Sequence, residues 1–239
     1  MNVAVIFAGG AGQRMNTKTK PKQFLELHGK PILIYTLKLF QQSPSIDGII
    51  LVMLENWISY SNELVDQYRL SKVKSVVPGG KTGQESIFKG IAKAHELYSD
   101  ESIVLIHDGV RPLVDVETIE KCIKCSMANT NAITVSPAVE TVALMSKDGN
   151  VGKILPRSDC QMAKAPQCFV LGDIYRNHLK AQKEGKLDFI DSASLMQHYG
   201  AKLYTVEGPT ENIKITTPSD FYIFRAIVDA RENSQIFGL

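Results

Sequence analysis

Residues 2–15, Asn-Val-Ala-Val-Ile-Phe-Ala-Gly-Gly-Ala-Gly-Gln-Arg-Met, carry an apolar run of strand length, Asn2–Phe7, that ends in the glycines Gly9, Gly10 and Gly12. Runs of the same kind recur at Gly48–Leu54, Lys74–Val77, Ser102–Ile106 and Ala132–Ser136. Between them, apolar residues fall at three- and four-residue spacing over Ile32–Gln41, Trp57–Tyr68, Gln84–Tyr98 and Val116–Met127. Alternating strand and helix periods are the signature of βαβ units. The expected fold is α/β: a Rossmann-like, mostly parallel sheet flanked by helices.

After Pro137 the pattern changes. Thr141–Met145 and Val151–Leu155 are short strand-like runs joined by Lys147-Asp148-Gly149-Asn150, which predicts a β-hairpin. A lone hairpin is marginal in water, so an arm at about 138–158 that packs on a second copy of the chain is expected, making a homodimer. The tail predicts a helix near Leu171–Glu184, a short one near Ser192–Tyr199, a strand at Lys202–Val206, the run Asn212–Thr216 and a closing helix from Pro218 to about Ala230. With no repeat or flexible linker, residues 1–239 read as a single domain with an arm.

The charges, 27 Lys+Arg against 25 Asp+Glu, leave a net +2 and exclude a polybasic nucleic-acid tail. At 44% hydrophobic and 22% charged residues the composition is that of a soluble globular protein. No stretch approaches the roughly 18 apolar residues that span a bilayer, and Val3–Ala8 is too short for a signal peptide. A cytoplasmic protein with neither nucleic acid nor membrane as partner is expected. Cys122-x-x-Cys125 lies inside a helical pattern and lacks the second close pair that a zinc site needs, since Cys160 and Cys168 are eight residues apart.

Ligands in open α/β folds bind at the carboxyl ends of strands, where glycines let backbone N–H groups close on phosphate oxygens. The loop after the first strand is a poor dinucleotide fingerprint, because the third glycine of G-x-G-x-x-G would fall at Met15; a plain tight turn is the alternative. The cations that follow, Arg14, Lys18, Lys20 and Lys22, border this potential anion site. Arg14 and Lys22 are the pair best suited to offset charge in a phosphoryl-type transfer. A second glycine segment, Pro78-Gly79-Gly80-Lys81-Thr82-Gly83-Gln84-Glu85-Ser86, holds the Gly-Lys-Thr of a Walker A loop. Its first glycine would have to stand where Ser75 is, so the P-loop match fails. What remains is a backbone-rich loop able to read a base or sugar, or a simple turn. Asp108, in Ile106-His107-Asp108-Gly109-Val110-Arg111-Pro112, closes the fourth strand run. It is placed to hold Mg²⁺ beside substrate phosphates, or else to cap its turn and pair with Arg111.

At these residues the sequence resembles the cytidylyltransferases that make CDP-linked alditols, the family of methylerythritol-phosphate and ribitol-5-phosphate cytidylyltransferases. The likeness runs through AGGAGQRM, KPKQFLELHGKPILIYTL, GGKTGQES, HDGVRP, PAVET, the Pro156-Arg157 pair, APQCF, DSASLM and ENIKITTPSDF. It implies that Ala8, Gly9, Gly10 and Gly12 hold the CTP base, ribose and phosphates, with Gly80 and Ser86 completing the cytidine pocket. It makes Arg14 and Lys22 the catalytic cations, Asp108 the metal and substrate carboxylate with Arg111 nearby, and Lys214 a contact to the α-phosphate. Thr141 and Arg157 would cross into the neighbouring subunit on the arm and grip the phosphate of the alditol.

Within the family, the methylerythritol branch typically reads Asp-Ala-Ala-Arg-Pro and Thr-Pro-Gln where this chain has Asp108-Gly109-Val110-Arg111-Pro112 and Ala165-Pro166-Gln167. The resemblance is to the ribitol-phosphate branch, which points to teichoic-acid or capsular precursors; the methylerythritol branch points to isoprenoids. A glycosyltransferase of similar architecture would carry Asp-x-Asp, which is absent from the chain. A non-catalytic nucleotide-binding protein would be expected to lack Arg14, Lys22, Asp108 or Lys214, and all four are present.

Overall fold

The computed structural model describes residues 1–10 and 20–237. Gly12 and Arg14 lie outside the described residues. Strand β1 (Asn2–Ala8) is followed by a two-stranded ribbon, β2 (Glu26–Leu27) and β3 (Lys30–Pro31), then α1 (Ile32–Gln42), β4 (Gly48–Met53), α2 (Ile58–Gln67) and β5 (Val73–Pro78). Next come α3 (Gly83–Leu97), β6 (Ile103–Asp108), α4 (Val116–Asn129), β7 (Asn131–Pro137) and the hairpin β8 (Val142–Met145) and β9 (Val151–Leu155). The remainder is β10 (Gln161–Val170), α5 (Leu171–Lys183), α6 (Ser192–His198), β11 (Thr205–Glu207) and α7 (Pro218–Phe237).

Seven strands form one sheet in the order β11-β7-β10-β6-β1-β4-β5. All its neighbours pair in parallel except β10, which runs antiparallel to both β6 and β7. Successive residues of a strand point to opposite faces, and both faces here are covered. Ala4, Ile6, Leu51 and Leu105 pack with Leu33, Leu37, Phe40 and Ile119 of α1 and α4. Val3, Val5, Val52 and Val104 pack with Ile87, Ile91, Leu171 and Ile174 of α3 and α5. Burial on both sides is why the strands read as unbroken apolar runs rather than alternating ones. Because α1 and α3 lie on opposite faces, a crevice opens at the carboxyl ends of the central strands. No helix among the described residues is long and apolar enough to cross a membrane.

The hairpin stands apart from this sheet, with Val142 opposite Leu155 and Ala143 opposite Ile154. Ser146 N donates to Asn150 O at 2.9 Å, and Gly149 takes φ +81°, a conformation that favours glycine.

Three expectations need correction. Strand β10 is not among the strand runs read in the sequence; its Pro166, which cannot donate to a ladder, is accommodated in the register shift between Ala163 and Gln167, where the ladder with β7 is interrupted. Strand β11 is shorter than Lys202–Val206, because the Asn131 side chain, not a backbone ladder, takes up Lys202 O and Tyr204 N at 2.9 and 3.0 Å. The closing helix continues past Ala230 to Phe237. Where it passes Ala230, His28 bridges Asp229 and Glu232 at 3.1 and 3.4 Å.

Candidate active site

Phe7 pairs with Asp108 in the β1–β6 register, so the glycines after β1 and the carboxylate ending β6 sit side by side. Gly109 N donates to Phe7 O at 2.9 Å and closes this junction. A Cβ added at Gly109 would lie 2.8 Å from Ala8 Cβ, so the strands sit closer here than an alanine would allow without a shift of its neighbours. A cavity of about 570 Å³ opens over these ends, lined by Ala8, Gly9, Gly10, Lys22, Gly80, Ser86, Asp108 and Lys214 among others.

Lys22 stands on a short 3-10 turn, Lys22–Phe24, clamped from both sides. Phe24 packs on Trp57 and Tyr60 with ring centroids 4.9 and 5.1 Å away, and Gln23 Nε2 donates to Ala8 O at 2.6 Å. The buried Lys22 ammonium donates to Ile215 O at 2.9 Å. Across the cavity, Thr82 caps α3 by accepting from Glu85 N. Ser86 Oγ accepts from Gly80 N at 3.0 Å and donates to Thr82 O at 2.9 Å, which folds the second glycine loop over the helix start.

Asp108 is buried and doubly paired: Oδ1 meets Lys214 Nζ at 2.5 Å and Oδ2 accepts from Arg111 Nε at 2.8 Å. Burial pushes its carboxyl up, but the charges and hydrogen bonds of Lys214 and Arg111 outweigh burial and hold it below its ordinary value. Arg111 Nη1 also donates to Asn212 O at 2.9 Å, and Ile215 N to Val110 O at 2.9 Å, which lays the segment before α7 along the end of β6. His107 is fully buried, its Nε2 3.1 Å from Arg111 O, and burial lowers its pKa to about 4. It packs as a neutral ring against Phe40, in keeping with a supporting rather than a base role.

A second cavity, of about 530 Å³, adjoins the first and shares Phe7, Thr82, Gly83, Asp108 and Lys214 with it. Arg111, Lys164, Gln167, His178, Asp191 and Ser192 belong to the second cavity only. Thus the structure brings together Ala8, Gly9, Gly10, Lys22, Gly80, Ser86, Asp108, Arg111 and Lys214. Thr141 and Arg157 are exposed on the arm and line neither cavity. Sequence reasoning did not single out Thr82, Thr216, Lys164 or Gln167 as lining residues. The Thr82-x-x-Glu85 spacing of a helix start was a usable signal for the first, and Thr216 and Gln167 lie inside the ENIKITTPSDF and APQCF stretches of the resemblance; Lys164 carried none.

Glycine backbone, three lysines (Lys22, Lys81 and Lys214) and a carboxylate converging on one crevice suit a nucleoside triphosphate, whose phosphates need positive charge and close backbone approach. The fold and this crevice define a nucleotidyltransferase. The family model described as IspD, 2-C-methyl-D-erythritol 4-phosphate cytidylyltransferase, matches residues 2–230, and the chain belongs to that family. It is 51% identical over 239 residues, 100% of both chains, to a ribitol-5-phosphate cytidylyltransferase of Streptococcus agalactiae serotype III. It is 41% identical over 223 residues, 93% of this chain and 95% of the other, to a 2-C-methyl-D-erythritol 4-phosphate cytidylyltransferase of Clostridium acetobutylicum. The crystal structure of 4-diphosphocytidyl-2C-methyl-D-erythritol synthase from Anaerococcus prevotii superposes with a TM-score of 0.81 at 28% identity, covering 95% of this chain and 96% of that one.

Proposed function

We propose that the chain transfers cytidylate from CTP to D-ribitol 5-phosphate, giving CDP-ribitol and pyrophosphate. The observation that carries this reading is full-length identity of 51% to a ribitol-5-phosphate enzyme, against 41% to a methylerythritol one. A phosphate oxygen of the alditol attacks the α-phosphorus of CTP; the new O–P bond forms as the bond to the bridging oxygen breaks, and pyrophosphate leaves with that electron pair. The nucleophile is already ionised near neutral pH, so no general base is needed. Catalysis then consists of positioning and charge neutralisation. The backbone at Ala8, Gly9 and Gly10, with Gly12 of the same loop, cradles the nucleotide, and Gly80 and Ser86 hold the cytidine. Lys22, Lys214 and Arg14 take up negative charge as it shifts to the leaving group.

The donor set fits a divalent ion held mainly by the substrate. Asp108 is the sole carboxylate lining the first cavity among the described residues, and each of its oxygens keeps a lone pair beyond its bond to Lys214 or Arg111. Mg²⁺ typically takes one or two carboxylates plus phosphates and water; bound there, it would supply charge neutralisation at the triphosphate. The arm supports a homodimer. Leu144, Met145, Val151 and Ile154 are each more than half exposed on a hairpin outside the main sheet, which a second subunit would cover. In that dimer Thr141 and Arg157 of one subunit grip the alditol phosphate at its partner's site. The whole of residues 1–239 acts as one domain in the cytoplasm.

The test is pyrophosphate release with Mg²⁺ and CTP, offering D-ribitol 5-phosphate and 2-C-methyl-D-erythritol 4-phosphate in parallel at equal concentration. Strong preference for ribitol phosphate is expected. Preference for the methylerythritol substrate would reject the acceptor assignment, and no release with either would reject both.

A further inference from the structure

A single peptide unit stands between the buried Lys22 ammonium and a carboxylate that the mechanism above does not use. Ile215 O accepts from Lys22 Nζ at 2.9 Å, and the N–H of the same peptide, that of Thr216, donates to Asp220 Oδ2 at 2.8 Å. A peptide is planar and trans, so its N–H and C=O point in opposite directions and fixing one fixes the other. The Ile215 side chain is buried with Val110, Leu113 and Phe224, which leaves the peptide plane as the part still to be oriented.

Asp220 has an ordinary duty as well. Its Oδ2 accepts from Thr217 N at 2.7 Å and its own N–H donates to Thr217 Oγ1 at 3.4 Å, the two halves of a capping box at the start of α7. That box accounts for Thr217 N alone; the bond to Thr216 N lies one residue outside it. Burial pushes the Asp220 carboxyl up, but the bonds from Thr217 and Thr216 and the charge of Lys22 outweigh burial and hold it below its ordinary value. An ionised acceptor on the N–H also polarises the peptide and strengthens its oxygen as an acceptor. We propose that Asp220 is a positioning residue: it turns the Ile215–Thr216 peptide so that its oxygen aims the Lys22 ammonium into the nucleotide cavity. The inference rests on the catalytic role given to Lys22 under the proposed function and deepens it. Asp220 lines neither cavity, so its effect on turnover passes through this peptide. Thr216 Oγ1 donates to Lys214 O at 3.1 Å, so the same turn steadies the second lysine.

The experiment measures kcat by pyrophosphate release with Mg²⁺, CTP and whichever of the two alditol phosphates the wild type prefers. Asp220→Ala should lower kcat about 10-fold, since misplacing a reacting-site group costs rate steeply. Asp220→Asn keeps an acceptor for both N–H groups and should retain most of the activity. Asp220→Ser keeps the helix cap, as Ser194 does for α6 by accepting from Asp191 N at 3.2 Å, but its single short hydroxyl cannot also hold Thr216; it should fold as wild type and lose turnover like Asp220→Ala. In a Lys22→Ala background, Asp220→Ala should cost less than about 2-fold more, because residues that act as a unit are not additive. Wild-type turnover in Asp220→Ser, or an equal loss in both backgrounds, would leave Asp220 a helix cap only and overturn the inference. The ¹H–¹⁵N signal of the Lys22 ammonium gives a readout independent of the acceptor: it should be sharp in wild type and Asp220→Asn and broaden by water exchange in Asp220→Ser. An unchanged signal would overturn the inference, whereas a wild type that turns over neither alditol phosphate would reject the proposed function and leave this signal to decide the positioning of Lys22.

Discussion

Lys214 Nζ lies 2.5 Å from Asp108 Oδ1, tying the segment before α7 to the end of β6 across the mouth of both cavities. The lysine is 42% exposed at its side chain and the carboxylate 8%, so the buried partner is the fixed one and the lysine is the one presented to ligand. Asp108 thus acts as an anchor that holds a cation where a triphosphate would arrive.

Asp108→Asn keeps the shape and removes the charge. It leaves the largely buried Arg111 without its ion pair, and breaking a buried pair costs about 3–5 kcal/mol. Urea unfolding should register a loss of this order, accompanied by a fall in turnover of at least ~10-fold. Wild-type stability in the variant would remove Asp108 from its anchoring role.

Lys22→Ala should lower kcat by at least ~10²-fold, the scale seen when one preorganised charge-stabilising group is removed. Steady-state kinetics with both substrates saturating would detect it, and near-normal turnover would rule out Lys22 as a catalytic cation.

Gly109→Ala introduces a Cβ 2.8 Å from Ala8 Cβ and 3.1 Å from Leu33 Cδ1. Both neighbours belong to the packed core, so overpacking should destabilise the protein by about 1–3 kcal/mol and raise KM for CTP by shifting the end of β1. A variant with unchanged melting temperature and KM would show that the β1–β6 junction yields freely.

The arm separates assembly from binding. Ile154→Asp places a charge on an exposed apolar position and should shift the protein to monomer in sedimentation or light scattering, with activity lost in parallel. Arg157→Ala should leave the dimer intact and raise KM for the alditol phosphate while CTP binding stays near wild type. Equal losses for both ligands would count against a phosphate-gripping role, and a monomeric wild type would end the cross-subunit scheme.

Stability should depend on pH through His178. Its pKa falls from 6.5 in the ordinary state to about 4 when buried, so between those values the unfolded chain binds the extra proton. Stability is therefore undiminished above pH 6.5 and declines as pH drops from 6.5 towards 4, by up to about 1.4 kcal/mol per pH unit for this one group. His178→Leu should remove its own share of that slope in urea unfolding at pH 7.5 and pH 5, leaving the like share of His107, the other buried histidine held near 4. An identical slope in the variant would show that the ring is not buried neutral.

What was legible in the sequence was local. The apolar spacing of Ile32–Gln42, Gly83–Leu97 and Val116–Asn129 marks helices within a residue or two of their observed ends, because the period of burial on one helix face is written in neighbouring positions. The hairpin was legible for the same reason, through Asp148-Gly149 between two short strand runs. In the first cavity, Gly9, Gly10, Gly80 and Ser86 announced themselves as glycine loops placed between strand and helix patterns.

Strand β10 and the second cavity were not legible. Gln161–Val170 includes Lys164 and Pro166, and only its place between β6 and β7 makes it a strand. Lys164, Gln167, His178 and Ser192 come from three elements that carry no shared motif, and they line one cavity because β10, α5 and α6 fold back on the sheet.

The sequence by itself determined the alternation of the five central strand runs with their helices, the burial of the sheet on both faces, and the family, since each depends on residue types at short spacing or on ordered motifs along one chain. The tertiary structure alone decided that β10 runs antiparallel inside a parallel sheet, that Asp108 is shared between Arg111 and Lys214, and that the His178 ring nitrogens are buried without a hydrogen-bond partner among the described residues. Those are contacts between residues far apart in the chain, and their energies depend on which surfaces the sheet topology brings within a few ångströms rather than on any local pattern.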